Sequence, residues 1–148
     1  MTLVDVYSAP EAARVLYDLL AEREPQTNIS HKAMPTWDEH VRFVASKPYQ
    51  AWYLLEVDDG NNSRTAPPQI VGAIYLTKPA AKARAGDEIG VFVFKAHRGK
   101  GYGKAAIKAL MSQHGKRRYL ANIAPGNAAS IKLFDALGFR HIQNTYEG

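Results

Sequence analysis

Residues 88–110 read EIGVFVFKAHRGKGYGKAAIKAL. An apolar run meets a basic, glycine-dense turn, Arg98-Gly99-Lys100-Gly101-Tyr102-Gly103-Lys104, and a stretch of good helix formers follows. Such a junction suits phosphate. The first turn of a helix carries unpaired N–H groups and a partial positive charge, and glycines let backbone approach an anion. Arg98, Lys100 and Lys104 add charge. Two common nucleotide sites fail here on specific residues. A Walker loop needs a hydroxyl after its lysine, and Ala105 follows Lys104. A dinucleotide fingerprint needs a third glycine where Lys104 stands, and an acid downstream where the chain offers Asn122.

The bulk numbers narrow the classes. The chain has 148 residues, enough for one domain (1–148) with a real core. Apolar residues make up 46% and charged residues 22%, as in a soluble globular protein. There is no cysteine, which excludes disulfides, a thiol nucleophile and thiolate metal sites. The five histidines show no HxxxH or HExxH spacing, so no metal is expected. No signal-peptide pattern opens the chain and no apolar run reaches the roughly 18 residues of a membrane span. The expectation is a cytoplasmic protein. A net charge of +5 favours an anionic partner.

Elements must position the glycine turn. Thr2–Tyr7 alternates and reads as a strand. Ser8 to Glu11 starts a helix that runs to about Glu24-Pro25. Thr36-Trp37-Asp38-Glu39 is a capping box opening a second helix that stops before Lys47-Pro48. Gln50–Val57 and Ile70–Leu76 read as a strand hairpin across the turn-forming stretch 58–68. Glu88–Phe94 is a strand, Gly101–His114 a helix and Tyr119–Ala124 a strand. Asn127 caps a helix stopped by Gly138, and Phe139–Tyr146 is a last strand. The order β α α β β β α β α β implies an α/β fold: a single mixed sheet with helices on both faces.

Two segments resemble a known family. Glu88-Ile89-Gly90-Val91-Phe92-Val93 followed by Arg98-Gly99-Lys100-Gly101-Tyr102-Gly103 resembles motif A of the GNAT N-acetyltransferase superfamily, a strand E-I-G-x-x-V and then [QR]-x-x-G-x-[GA] opening a helix. Asn127-Ala128-Ala129-Ser130, then Leu133-Phe134-Asp135-Ala136-Leu137-Gly138-Phe139, looks like its motif B. The element order is also the family's, so the resemblance implies a GNAT fold over nearly the whole chain. It further implies acetyl-CoA as acyl donor. Backbone groups of Val91, Phe92 and Val93 would hold the pantetheine and thioester, and Gly99 to Lys104 the pyrophosphate, with Arg98 adding charge. Asn127, Ser130 and Phe134 would lie beside the cofactor in the second unit.

Amide formation from a thioester needs a neutral amine, an oxyanion stabiliser and a proton for the leaving thiolate. An amine with a pKa of about 10 is mostly protonated at neutral pH, so a base helps. Without cysteine, direct attack in a ternary complex is the simplest route. Glu88, at the start of the motif A strand, is the candidate catalytic base; the alternative is a capping or salt-bridged surface glutamate. The family's usual acid is a tyrosine where this chain has Phe134, and phenyl donates no proton. The thiolate then leaves unassisted, or Tyr146, Tyr102 or Ser130 serves.

The acceptor is expected at the first two helices and the aromatic strand after them. His31, Trp37, Trp52 and Tyr53 are the candidate substrate-binding residues, against a core-packing reading for each aromatic. Trp52 and Tyr53 are adjacent in a strand, so they point to opposite faces. Asn28, Met34 and Glu39-His40, leading into the aromatic strand, resemble the acceptor region of GNATs that acetylate amino groups of nucleotide-linked sugars, which implies a small-molecule amine such as an amino sugar. The alternatives are an amine on nucleic acid or protein, or a non-catalytic module binding CoA or nucleic acid, to which the loop Lys78–Arg84 and Lys116-Arg117-Arg118 would contribute. A sheet edge left open near the C-terminus would suit a homodimer.

Overall fold

The computed structural model describes residues 1–23, 33–58, 67–79 and 86–148. Five strands form one sheet in the order β1-β2-β3-β4-β5: β1 (Thr2–Asp5), β2 (Tyr49–Val57), β3 (Gln69–Thr77), β4 (Asp87–Val93) and β5 (Tyr119–Leu120). The first four are antiparallel neighbours; β5 is parallel to β4. Helices α1 (Ala12–Ala21), α2 (Trp37–Ala45), α3 (Tyr102–His114) and α4 (Ala128–Ala136) flank the sheet.

Two cores follow from the strand alternation. Ala51, Leu55, Ile74, Leu76 and Ile89 meet Ala106, Ile107 and Leu110 of α3 and Phe134 of α4 on one face. Trp52, Leu54 and Ala73 meet Val6 and the α1 residues Ala12 and Leu16 on the other. The expected capping box of α2 forms: Glu39 N–H donates to Thr36 Oγ1 at 3.2 Å, and Thr36 N–H to Glu39 Oε1 at 3.3 Å. Ser8 does not cap α1. Asp5 ends β1 early instead, its carboxylate accepting from Tyr7 N–H and Ser8 Oγ in a 3-10 turn over Val6–Ser8.

Two expectations at the C-terminal end are corrected. The strand expected over 119–124 pairs for two residues only, Asp87↔Tyr119 and Glu88↔Leu120. Beyond Glu88 the two strands part, so Ala121–Ala124 has no ladder to join. For the same reason 139–146 forms no strand despite its alternation: residues 140–148 are exposed and unpaired in the sheet. The outer edge of β5 has no strand beside it among the described residues, which is the feature behind the homodimer expectation.

Candidate active site

β4 sits between two different neighbours. β3 covers it from Ile89 to Val93, while β5 covers only Asp87 and Glu88. The edge of β4 from Ile89 to Val93 therefore faces a widening cleft, with backbone N–H and C=O groups available for an extended ligand. The backbone of Val91, Phe92 and Val93, expected to hold a cofactor arm, lies along it.

The glycine turn stands where this edge ends. A 3-10 turn at Lys95–His97 leads to Gly99 and Gly101, at φ 78° and 81°. Both lie in the left-handed region, which penalises any side chain and explains glycine there. Gly101 is the N-cap of α3 and brings no side chain, so the first N–H groups of the helix, from Tyr102 to Lys104, are left for another acceptor. Arg98, Lys100 and Lys104 are exposed around this end, and Arg98 Nε donates to Val93 O at 3.2 Å, holding the turn against the tip of β4. Gly103 lets α4 come close: a Cβ there would lie 3.3 Å from Leu133 Cδ2. The arrangement fits a pyrophosphate with a long arm running into the cleft.

The second unit contributes less than expected. Asn127 Oδ1 accepts from Ser130 N–H at 3.1 Å, so the Asn127 side chain is a helix cap. Phe134 is 6% exposed, with its ring edge-on to Phe139 at 5.0 Å. It is a core residue. Tyr146, one alternative acid, is 89% exposed in the C-terminal stretch.

The face of β4 away from α3 carries Glu88, Gly90 and Phe92. Tyr75 is opposite Gly90 in the register, and its ring lies flat over that glycine: a Cβ on Gly90 would overlap the Tyr75 ring and hydroxyl. Tyr49 stacks on Tyr75, centroids 4.0 Å apart and planes 5° from parallel. Burial, then the neighbouring Tyr49 and the Glu88 carboxylate, push the Tyr75 hydroxyl far above the ordinary phenol range. The Tyr49 hydroxyl is also raised, by burial and by the charges of Tyr7 and Glu88. Glu88 thus faces two phenols that stay protonated.

These rings floor a cavity of about 210 Å³ between α1, α2 and the sheet. Leu16, Leu19 and Leu20 line it from α1 and Arg23 from just past its end, His40 and Phe43 from α2, and Tyr49, Trp52, Ala73, Tyr75 and Phe92 from the strands. A bulge shapes the floor. The register slips between Tyr49 and Ala51, so Tyr49 joins Trp52 on one face although they are an odd number of residues apart. The backbone at Tyr49 is satisfied by Tyr7, whose hydroxyl donates to Tyr49 O at 2.8 Å and accepts from Tyr49 N–H at 3.1 Å.

Of the expected acceptor residues, Trp52 lines this cavity. Tyr53 does not: it points to the α3 face, where its hydroxyl bonds His114 Nε2 at 2.9 Å. Trp37 is also outside. It is 41% exposed on α2, its ring against Tyr17 and His40. His31 and Asn28 lie outside the described residues, as does the 80–85 part of the basic loop. Sequence reasoning missed Tyr49, Tyr75 and Phe43, and the side chain of Phe92. Among the described residues no histidine and acid cluster could hold a metal ion, and no helix is long and apolar enough to cross a membrane.

A model of the acetyltransferase (GNAT) family matches residues 14–139. No curated protein matches the chain significantly. Solved structures share the fold. A domain from Methanocaldococcus jannaschii DSM 2661 superposes with a TM-score of 0.76 at 19% identity, over 99% of this chain and 93% of that one. A spermidine N-acetyltransferase chimera from Vibrio cholerae and hSSAT gives 0.70 at 17% identity, over 97% and 84%. The protein yncA from Salmonella typhimurium, solved with its cofactor acetyl-CoA, gives 0.64 at 20% identity, over 93% and 77%.

Proposed function

The chain belongs to the acetyltransferase (GNAT) family, whose acyl donor is acetyl-CoA, and we propose that it acetylates the primary amine of a small molecule by direct attack in a ternary complex. Acetyl-CoA supplies an activated acyl carbon and a thiol leaving group. The residues suited to hold it are the backbone of Val91–Val93 along the cleft, and Gly99 to Lys104 with Arg98 at the pyrophosphate. Asn127 and Ser130, at the start of α4, are the residues of the second unit that would lie beside it; Phe134 supports that helix from inside.

Glu88 is the base. Its carboxylate takes one proton from the neutral amine as the carbon–nitrogen bond forms and the carbon–sulfur bond breaks, and returns it to solvent, from which the departing thiolate takes one proton to become the thiol. The protonated hydroxyl of Tyr75 sits on the same face above Gly90, hydrogen-bonded to the neighbouring Tyr49 hydroxyl. Its raised affinity for the proton makes it a poor acid toward a thiolate of pKa about 8.5, so thiolate departure without a dedicated acid fits Phe134.

The observation that carries this reading is the double use of β4. One edge is open for an extended cofactor, and the face that carries Glu88 also carries Phe92, which lines the cavity, with Glu88 acting electrostatically on its Tyr49 and Tyr75. The alternative of a nucleic-acid amine draws less support, because Arg117 of the basic Lys116–Arg118 run is tied to Asp87 at 2.9 Å and to Gln50 at 3.2 Å. Thiol release from acetyl-CoA, followed over a panel of amines, tests the proposal. Tight acetyl-CoA binding with no release for any amine would sink it.

A further inference from the structure

Glu88 stands at a weak point of the sheet. β3 and β4 are in register as far as Leu76↔Ile89, and β4 and β5 share only Asp87↔Tyr119 and Glu88↔Leu120. Glu88 is thus at the start of β4, where one ladder ends and another barely begins. Strand ends held by few bonds fray. A general base needs a fixed place, because a misplacement of about 1 Å can cost about a hundredfold in rate.

Side chains close a frame round that point. Glu88 N–H donates to Thr77 Oγ1 at 2.9 Å. The carbonyl of Thr77 accepts from Gln50 Nε2. Gln50 Oε1 accepts from Arg117 Nη1 at 3.2 Å, and the same nitrogen donates to Asp87 Oδ2 at 2.9 Å. Asp87 is the chain neighbour of Glu88, so the frame returns to the residue from which it started. Arg117 Nη2 donates to His114 O at 3.0 Å, and Asp87 N–H to Arg118 O at 3.0 Å. These two bonds anchor the frame to the end of α3 and the approach to β5.

Gln50 is the member that no strand pairing requires. The register passes from Tyr49↔Thr77 to Ala51↔Leu76, so Gln50 is the extra residue of the β2 bulge. A bulge frees one residue from the ladder and re-aims its side chain. Both ends of this amide are used. Its nitrogen faces a carbonyl, which only accepts, and its oxygen faces a guanidinium, which only donates.

We propose that Gln50 is a positioning residue for Glu88: with Thr77, Arg117 and Asp87 it fixes the backbone from which the base reaches the amine. This rests on Glu88 acting as the base and adds what holds it there.

Q50M keeps the bulk of the side chain and loses both bonds. T77V keeps the shape and loses only the acceptor for Glu88 N–H, and T77S restores that acceptor. Thiol release from acetyl-CoA reads kcat, with the fastest acceptor among spermidine, glucosamine and phenethylamine; calorimetry reads acetyl-CoA affinity. Q50M and T77V should each lower kcat about tenfold with acetyl-CoA affinity unchanged, and T77S should recover most of the rate. The deciding measurement places Q50M and T77V in E88Q, assayed at high enzyme concentration. Without the base nothing is left to position, so neither should lower the residual kcat further. A merely structural role would lower it by the same factor in both backgrounds. That result overturns the inference, as does a wild-type kcat in Q50M or T77V. E88Q at the wild-type rate sinks the base reading instead, and no thiol release for any amine sinks transfer itself; the inference falls with either.

Discussion

The two faces of the sheet are built by the same strands and end in opposite states. On the α3 face, β2, β3 and β4 present Ala51, Leu55, Ile74, Leu76 and Ile89, and α3 answers with Ala106, Ile107 and Leu110. These aliphatic side chains interdigitate, as close-packed interiors require. On the α1 face the alternate positions carry Tyr49, Trp52, Tyr75 and Phe92, and the packing stays incomplete, leaving the cavity. Stacked rings, a bulge at Tyr49 and a glycine at 90 that lets Tyr75 lie flat produce that difference. One face holds the strands in register; the other spends its positions on a site.

If the open face does the chemistry, E88Q should break it with little structural change. Glutamine keeps the size and loses the base, so kcat should fall by about 10²–10⁴-fold with the acetyl-CoA affinity retained. Stopped assays of thiol release measure the first, and calorimetry the second. A kcat within a factor of three of wild type would move the base elsewhere. The matching change on the closed face is L110A. Removing a fully buried side chain should cost about 2–5 kcal/mol, read as a lower Tm, with KM for the amine unchanged below the transition.

The glycine turn was readable in the sequence because its chemistry is local. Cations, left-handed backbone and a helix start all fall within Arg98–Lys104. The capping box at Thr36 was readable for the same reason. The cavity was not, because its lining comes from three strands and two helices. Trp52 and Tyr53 were read correctly as opposite in direction, yet which one faced the site depended on packing. Tyr49 escaped because the bulge changes its face, and no periodicity announces a bulge. The strand expected at 139–146 failed on a non-local fact: alternation makes a segment fit to pair, and β5 left it no ladder.

A smaller effect tests the turn itself. Gly101→Ala meets nothing within 4 Å, so its penalty is backbone strain alone, about 1–2 kcal/mol. Released by leaving the cradle geometry, that strain should weaken acetyl-CoA binding roughly five- to thirtyfold. Gly115→Ala is the control. It has equally open space at the other end of α3 but sits at φ 76° and ψ −168°, a region essentially reserved for glycine, so it should lower Tm more than Gly101→Ala and still leave cofactor affinity alone. Equal loss of affinity in both would mean the turn matters only as part of the helix.

The smallest expected effect separates the faces by pH. On the closed side, Gln113 Nε2 donates to the Tyr53 hydroxyl at 2.9 Å, and that hydroxyl can donate to His114 Nε2 only while the imidazole is neutral. Burial lowers the His114 pKa, Arg117 lowers it further and Asp87 opposes both. The unfolded chain, with a histidine pKa of about 6.5, therefore binds more protons than the folded one in the window below that value. The contribution to stability is full above the unfolded pKa and is lost as pH falls through the folded one. Tm should drop over that window, and H114Q should flatten the drop. Acetyl transfer by the same variant should keep its wild-type pH profile, because the sheet separates His114 from Glu88 and the cavity. A shifted profile in H114Q would show that the closed face reaches the chemistry after all.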